Sequence, residues 1–354
     1  MMTKLRFALF GTGFWSRYQL AGWMETGGVE CVALYNRTLP KAEALAKEFG
    51  IPAVYNDPKM LLNHENLDFI DVCTAVETHA DLTRMGADRG LPIVCQKPMA
   101  TALAEAESMV AYCQERNVPL FINENWRWQY PIRQFKRILE EGRIGKPFRA
   151  RIDMISGFPV FKNQPFLAEL EQFIITDLGS HTLDVARCLF GEAKRLYCQT
   201  HRAHPNIRGE DVATILLSME ADISVLVQMA YAENYLEREA FPQTFIIVEG
   251  TQGSLELGPD YWIRETTAAG TLAKRYPPPR YEWANPFYDV VHSSIVPCQA
   301  DILKGLQGYN AETTGQDNLK TVQLVFGSYE SAASGKVLNL SELTEKAAQN
   351  KASE

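Results

Sequence analysis

The residues of this chain best suited to chemistry are a lysine in Ile93-Val94-Cys95-Gln96-Lys97-Pro98 and an aspartate and a histidine in Thr176-Asp177-Leu178-Gly179-Ser180-His181. Residues four apart on a helix share a face, so Asp177 and His181 are neighbours there, with Asp184 one turn further on. A carboxylate beside an imidazole fixes its tautomer and stabilises the imidazolium that forms when the ring takes a proton. His181 is therefore the candidate base for an alcohol hydroxyl, and Asp177 its orienting partner. Lys97, at a strand end, would hold the same oxygen, favour the developing alkoxide and relay the proton. A surface or capping pair is the plainer alternative for Asp177 and His181. Asp177, His181, Asp184 and Cys188 also follow one helical stripe, but four ligands from one helix do not surround an ion well, so no metal is expected.

An alcohol carbon that gives up hydride needs an acceptor, and the N-terminus offers a place for one. Gly11-Thr12-Gly13-Phe14-Trp15-Ser16 follows an apolar run directly and opens a helix. The first glycine permits the tight turn, the second lets backbone approach a pyrophosphate, and the helix start supplies free N–H donors. Ser16 stands where a third small residue is needed for helix–strand packing. Gly11, Thr12, Gly13, Phe14 and Trp15 are thus candidate dinucleotide contacts, and a plain glycine turn is the alternative. At the end of the second strand, Tyr35-Asn36-Arg37 replaces the usual acidic residue. Asn36 can bond a ribose hydroxyl, while Arg37 could pair with a 2′-phosphate, stack on adenine or stay in solvent, so the residues leave NAD and NADP both open.

Ligands bind beyond the C-terminal ends of the strands in such sheets, where Thr74 to His79 and Gln96-Lys97 fall. Thr74, His79, Gln96, Lys97 and Asn125 complete the candidate cofactor set; His79 could equally cap its helix. For the substrate, the candidates are Lys97, Asp177 and His181 with Trp126 and Arg127, whose aromatic surface and guanidinium suit a polyhydroxylated ligand, and Asn163 and Gln164, whose amides suit sugar hydroxyls. Buried hinge packing for Trp126 and Trp128, and a polar turn for Asn163-Gln164-Pro165, are the alternatives. A cis peptide before Pro98 would aim Lys97 into the cleft between the halves, where the two segments are expected to meet over one nicotinamide ring.

The elements that must carry these residues follow from the hydrophobic pattern. Up to about residue 123, short apolar runs alternate with amphipathic ones, the rhythm of parallel strands joined by crossover helices. Strands are predicted over Leu5–Phe10, Cys31–Tyr35, Phe69–Thr74, Ile93–Cys95 and Leu120–Ile122. Helices are predicted over Phe14–Met24, Leu39–Phe49, His79–Arg89 and Ala102–Arg116. Past the helix Ile132–Glu141 the pattern turns β-rich, with strands over Phe148–Ile155, Arg195–Arg202, Val212–Met219, Ile223–Ala232, Thr244–Glu249 and Ser254–Leu257. Thr251-Gln252-Gly253 is the hairpin turn between the last two. Neighbours in sequence usually pair antiparallel. A helix Asp177–Leu189 interrupts this sheet, helices near Tyr288–Leu306 and Gln316–Ala333 follow, and the polar tail after Leu340 is expected to fray. The fold class is α/β: a Rossmann doubly wound parallel sheet over residues 1–124, then an α+β domain over 125–354 with a large, mainly antiparallel open sheet.

Composition bounds the rest. At 354 residues the chain is too long for one ordinary core, since domains run to about 150 residues. Hydrophobic residues at 46% and charged residues at 22% are those of a compact globular protein. A net charge of -8 repels phosphate backbones and anionic lipid, which argues against nucleic-acid and membrane partners. No secretory leader or membrane span is read from the sequence. The seven cysteines lack the spacing of a zinc or redox motif and read as buried thiols in a reducing cytoplasm.

These residues together resemble the glucose-fructose oxidoreductase, inositol dehydrogenase and rhizopine-catabolism (Gfo/Idh/MocA) family. The likeness runs from Gly11-Thr12-Gly13 through Lys97-Pro98 to Asp177-Leu178-Gly179-Ser180-His181-Thr182-Leu183-Asp184. It implies Lys97, Asp177 and His181 as the catalytic set, a sugar or polyol substrate, and assembly as a homodimer or homotetramer through the open face of the C-terminal sheet. The family commonly has Glu-Lys-Pro where this chain has Gln96-Lys97-Pro98, so the lysine loses an acidic neighbour. Asn125-Trp126-Arg127-Trp128-Gln129 and Gln96-Lys97-Pro98-Met99-Ala100 are similar to the branch containing bacterial D-apiose dehydrogenases, which implies NAD as cofactor and a lactone as product. A lyase or glycosidase with transient redox chemistry, and a non-catalytic nucleotide sensor, are the competing functional classes.

Overall fold

The computed structural model describes residues 4–341 except 233 and 235, and residue 163 by its backbone alone. The strands described form two sheets, each in its own compact unit. One unit runs up to Asn125 and takes in Arg280–Val322; the other comprises Trp126–Pro279 and the chain from Gln323 onward.

The first sheet contains β1 (Leu5–Phe10), β2 (Val29–Tyr35), β3 (Ala53–Tyr55), β4 (Phe69–Val72), β5 (Ile93–Gln96) and β6 (Leu120–Asn123). Their order is β3-β2-β1-β4-β5-β6 and every pairing is parallel. Consecutive apolar residues in β1, Phe7-Ala8-Leu9-Phe10, are all fully buried, as strands covered by helices on both faces require. Phe7 stacks on Phe69 at 4.9 Å and meets Trp23 of the helix Phe14–Thr26 at 5.8 Å. Burying such a side chain contributes roughly 1.5–3 kcal/mol, and this cluster ties β1, β4 and the first helix into one core. The strand order reverses between β1 and β4, so Gly11 and Thr74 leave the sheet side by side at its switch point. The short β3 and the helix Pro58–His64 were not anticipated; three half-buried residues are too few to show a period. The helix Asp289–Leu306 packs against Phe14–Thr26 in this unit.

The second sheet contains β7 (Pro147–Ser156), β8 (Ala193–His201), β9 (Val212–Met219), β10 (Ser224–Tyr231), β11 (Phe245–Gly250), β12 (Gly253–Leu257), β13 (Trp262–Thr267), β14 (Gly270–Arg275) and β15 (Leu338–Asn339). Its order is β14-β13-β12-β11-β7-β10-β9-β8-β15. It is mainly antiparallel, but β7 departs from pairing with its sequence neighbour: it lies between β10, in parallel, and β11. The segment leaving β7 builds helical turns on one face before re-entering as β8, and that excursion carries the chain past two strand positions. Alternation orients the sheet. Ala213, Ile215, Leu217 and Met219 of β9 and Val225, Val227 and Met229 of β10 are buried, and the helix Ser180–Phe190 packs on β7 and β10.

The helix expected from Asp177 instead opens as a wide π turn, Ile175–Gly179, and becomes α-helical at Ser180. Gly179 permits this, because a Cβ there would lie 3.0 Å from Ile175 Cγ2 and 3.6 Å from Met229 Sδ of β10. The seven cysteines are free; Cys188 is half-buried and the rest are buried. No described helix is long and apolar enough to cross a membrane. The tail beyond residue 341 lies outside the described residues.

Candidate active site

In the first unit the glycine turn has the shape an anion cradle needs. Gly11 has φ +103°, and a Cβ there would sit 2.4 Å from the Cys73 carbonyl oxygen, so no other residue fits. At Gly13, the N-cap of the helix, a Cβ would meet nothing within 4 Å, which leaves the backbone open to an approaching ligand. The Gly13 N–H donates to Ser16 Oγ at 3.1 Å and Ser16 is fully buried, so the serine closes the turn from inside. Thr12 Oγ1 is buried without a hydrogen-bond partner, an orphan donor and acceptor in the cradle itself. Phe14 is 74% exposed, a cost that a bound planar group would offset. These features fit a dinucleotide.

Around the turn, the other predicted contacts divide by where their polar atoms go. Asn36 follows β2, donates from Nδ2 to Thr38 O at 3.0 Å, and keeps Oδ1 for another donor; Arg37 is exposed. The Thr74 hydroxyl accepts from Thr78 Oγ1. His79 is buried with Nδ1 3.1 Å from Pro98 O and Nε2 3.2 Å from Thr74 O, so it braces the Lys97-Pro98 turn against the end of β4. Burial lowers its pKa, and the carbonyl partners oppose that shift. The Lys97-Pro98 peptide is cis. Lys97 is half-buried just past β5.

Gln96, where the resemblance leads one to expect a glutamate, turns inward. Its Nε2 donates to Gln19 Oε1 at 3.2 Å, and Gln19 Nε2 donates to Asp71 Oδ2 at 3.1 Å. Asp71 also accepts from Trp23 Nε1 and Asn123 Nδ2. Burial pushes its carboxyl up to about 6 despite these three donors. Gln96 is therefore joined to a buried carboxyl through two hydrogen bonds. Asn125 is buried and donates to Val291 O and Ser294 Oγ, pinning the end of β6 to the helix Asp289–Leu306.

In the second unit, Asp177 is half-buried within the π turn and His181 is buried one turn on, so the predicted neighbours do share one helical segment. The His181 imidazole lies flat on the Trp126 indole, centroids 4.2 Å apart and planes 20° apart. Trp126 Nε1 donates to Thr244 Oγ1 at 2.8 Å. Arg127 is buried and grips Asp184 through two bonds, Nε to Oδ2 at 2.6 Å and Nη2 to Oδ1 at 2.5 Å. Trp126 and Arg127 thus hold the helix that carries His181, the indole by stacking and the guanidinium by charge. Among the described residues no group of three or more His, Cys, Asp and Glu is arranged to hold a metal ion. Asn163 ends the turn Val160–Asn163, its side chain outside the described residues, and Gln164 is exposed beside it. Sequence reasoning missed Gln19, Asp71 and Thr244, none of which stands in a motif; each reaches these segments only through the fold.

Comparison with known proteins agrees with this geometry. Residues 5–124 match the model of the oxidoreductase family with an NAD-binding Rossmann fold, and residues 132–256 match the Gfo/Idh/MocA C-terminal domain. The chain is 41% identical to a D-apiose dehydrogenase of Paraburkholderia graminis over 96% of its own length and 91% of the relative's. It is 39% identical to a D-apiose dehydrogenase of Rhizobium rhizogenes, covering 96% of this chain and 98% of that one. The crystal structure of an oxidoreductase from Agrobacterium radiobacter in complex with NAD+, L-tartaric acid and magnesium superimposes with a TM-score of 0.94 at 39% identity, over 96% of this chain and all of that one. With its glycine cradle, its lysine after β5 and its Asp-His helix, the chain belongs to the Gfo/Idh/MocA family of oxidoreductases, with an NAD-binding Rossmann fold in its first unit.

Proposed function

We propose that this NAD-dependent sugar dehydrogenase oxidises D-apiose to its lactone. The observation that carries the reading is the 41% identity, across 96% of the chain, with a D-apiose dehydrogenase. Residues 1–124 bind the dinucleotide, and residues 125–354 bind the sugar and mediate assembly. When bound, NAD supplies the hydride acceptor. His181 takes the hydroxyl proton, Asp177 stabilises the resulting imidazolium, and Lys97 steadies the oxygen as charge develops on it. Trp126 stacking limits the rotation of the imidazole, so the base is ready before substrate arrives. Asn36 presents a neutral amide where the ribose binds, and NAD is the preferred cofactor over NADP. The protein assembles as a homodimer or homotetramer through the open face of the second sheet, and works in the cytoplasm.

Incubation with NAD and a panel of aldoses and polyols tests the reading. D-apiose should give reduced nicotinamide absorbance, and Lys97→Met should bind NAD as the wild type does while losing turnover by about 10²–10⁴-fold. No reduction with any sugar, with either NAD or NADP, would overturn it.

A further inference from the structure

The segment that carries Asp177 and His181 begins with four backbone N–H groups that no helical carbonyl can reach, and all four are claimed by two residues from elsewhere, three by their side chains and one by a backbone carbonyl. The first bond within the segment is from Asp177 N to Phe173 O at 2.9 Å. Before it, the Glu210 carboxylate accepts from Phe173 N and Ile175 N, each at 3.2 Å to Oε1, and the Glu210 carbonyl accepts from Ile174 N at 3.2 Å. The Tyr329 hydroxyl accepts from Thr176 N at 3.0 Å and donates to Glu210 Oε1 at 2.9 Å. It also shares a 3.0 Å hydrogen bond with Thr176 Oγ1. Helix starts ordinarily satisfy such donors with one N-cap residue and water. Here Ile174 offers no side-chain cap, and the work is done by a glutamate thirty-odd positions on and a tyrosine from the helix Gly315–Ser334.

Glu210 is itself held firmly. It is buried, and its neighbour Asp211 accepts from Ala203 N at 2.6 Å and His204 N at 3.0 Å and pairs with His204 Nδ1. The Asp211 carbonyl in turn accepts from Tyr231 N at the end of β10. What the pair secures is the wide turn that follows, in which Ser180 N reaches back five residues to Ile175 O. A π turn is less favourable than an α turn and persists where other contacts impose it. Relaxation to an α turn would rotate Asp177 relative to His181 on the helix surface.

We infer that Glu210 and Tyr329 are positioning residues that set the register of the π turn and so place Asp177 against His181. The inference rests on the reading of Asp177 and His181 as catalytic. It predicts that truncating either clamp residue lowers kcat far more than it changes the sugar KM or the NAD Kd, because the base is misaligned while the cofactor cradle lies in the other unit.

The test compares Tyr329→Phe, Glu210→Ala, Glu210→Gln and His181→Gln in the full chain. Each is assayed with D-apiose and NAD, with NAD affinity read from fluorescence titration and the folded fraction from circular dichroism. Tyr329→Phe should lose about tenfold and Glu210→Ala about 10²-fold in kcat, with KM and Kd within about twofold of wild type. Glu210→Gln keeps an oxygen at the Oε1 position and should recover most of that loss. If Tyr329→Phe is folded and turns over at the wild-type rate, or if kcat falls only in step with the folded fraction, the inference fails. If His181→Gln itself keeps wild-type turnover, the catalytic reading is what fails. Should Glu210→Ala not fold, the Tyr329→Phe and Glu210→Gln pair decides.

Discussion

His181 and His292 show how differently one side-chain type is used. His181 lies on Trp126 in the second unit, in the segment that also carries Asp177. His292 is fully buried in the first unit, stacked on Tyr18 at 3.9 Å, with Nδ1 accepting from Asn285 N at 3.0 Å. That bond leaves the ring neutral with its proton on Nε2. Burial, helped by the Arg17 charge, lowers its pKa to about 4 from 6.5. Between those two values the unfolded chain takes up a proton that the folded chain refuses, so this residue's contribution to stability is present above about pH 6.5 and is lost as pH falls toward about 4. The gap corresponds to roughly 3 kcal/mol. Asp71, whose carboxyl is raised to about 6, works in the opposite sense, favouring the folded state as pH falls through that value. Urea denaturation of wild type and His292→Phe cancels the Asp71 contribution. The variant should lose less stability between about pH 7 and about pH 4, by up to ~3 kcal/mol. Equal losses would show that His292 titrates normally.

Among the elements, the helix Ser180–Phe190 is the one that structure adds most to. Its apolar stripe was readable, and so were the ends of β1, β9 and the helix Leu39–Phe49, because long periodic runs bounded by turn residues state their limits plainly. The outer strands β13 and β14 went unread: Gly270–Arg275 is exposed throughout, so nothing in its sequence alternates with a core. The π turn was equally hidden, since it depends on partners far along the chain. The Arg127–Asp184 pair, also long-range, straps the turn Trp126–Trp128 to this helix. Asp184 is fully buried, with Arg187 Nη1 at 3.9 Å. Arg127→Met should therefore cost about 3–5 kcal/mol by leaving a buried carboxylate poorly compensated. Arg127→Met with Asp184→Leu should recover much of this, because the penalty for desolvating both charges disappears with them. Chemical denaturation reads both effects, and a single variant as stable as wild type would refute the strap.

The proposed assembly is placed on the exposed face of the second sheet. Tyr197, Leu216 and Leu226 lie side by side across β8, β9 and β10, and Leu216 is 47% exposed. The row continues through Arg151 of β7 to Ile247 of β11. A row that is apolar on either side of Arg151, on an open sheet face, suits burial against a second copy. Light scattering should give a mass at least twice 39.9 kDa for the wild type, and that of one chain for Leu216→Glu with Leu226→Glu. A monomeric wild type, or an unchanged mass in the double variant, would remove this face as the interface.

Local chemistry wrote the alternation of strands and helices, the glycine that must adopt φ +103° at Gly11, and the pairing of Asp177 with His181 on one helical segment. Each depends on residues within a few positions of one another, and short-range sterics and periodicity leave a mark that can be read. The inward turn of Gln96 toward Gln19 and Asp71, the indole under His181, and the Glu210–Tyr329 clamp on the π turn carry no such mark. Those contacts join residues tens to more than a hundred positions apart, and no spacing rule encodes them. They exist because packing within each unit brings distant segments together and pairs these buried polar groups.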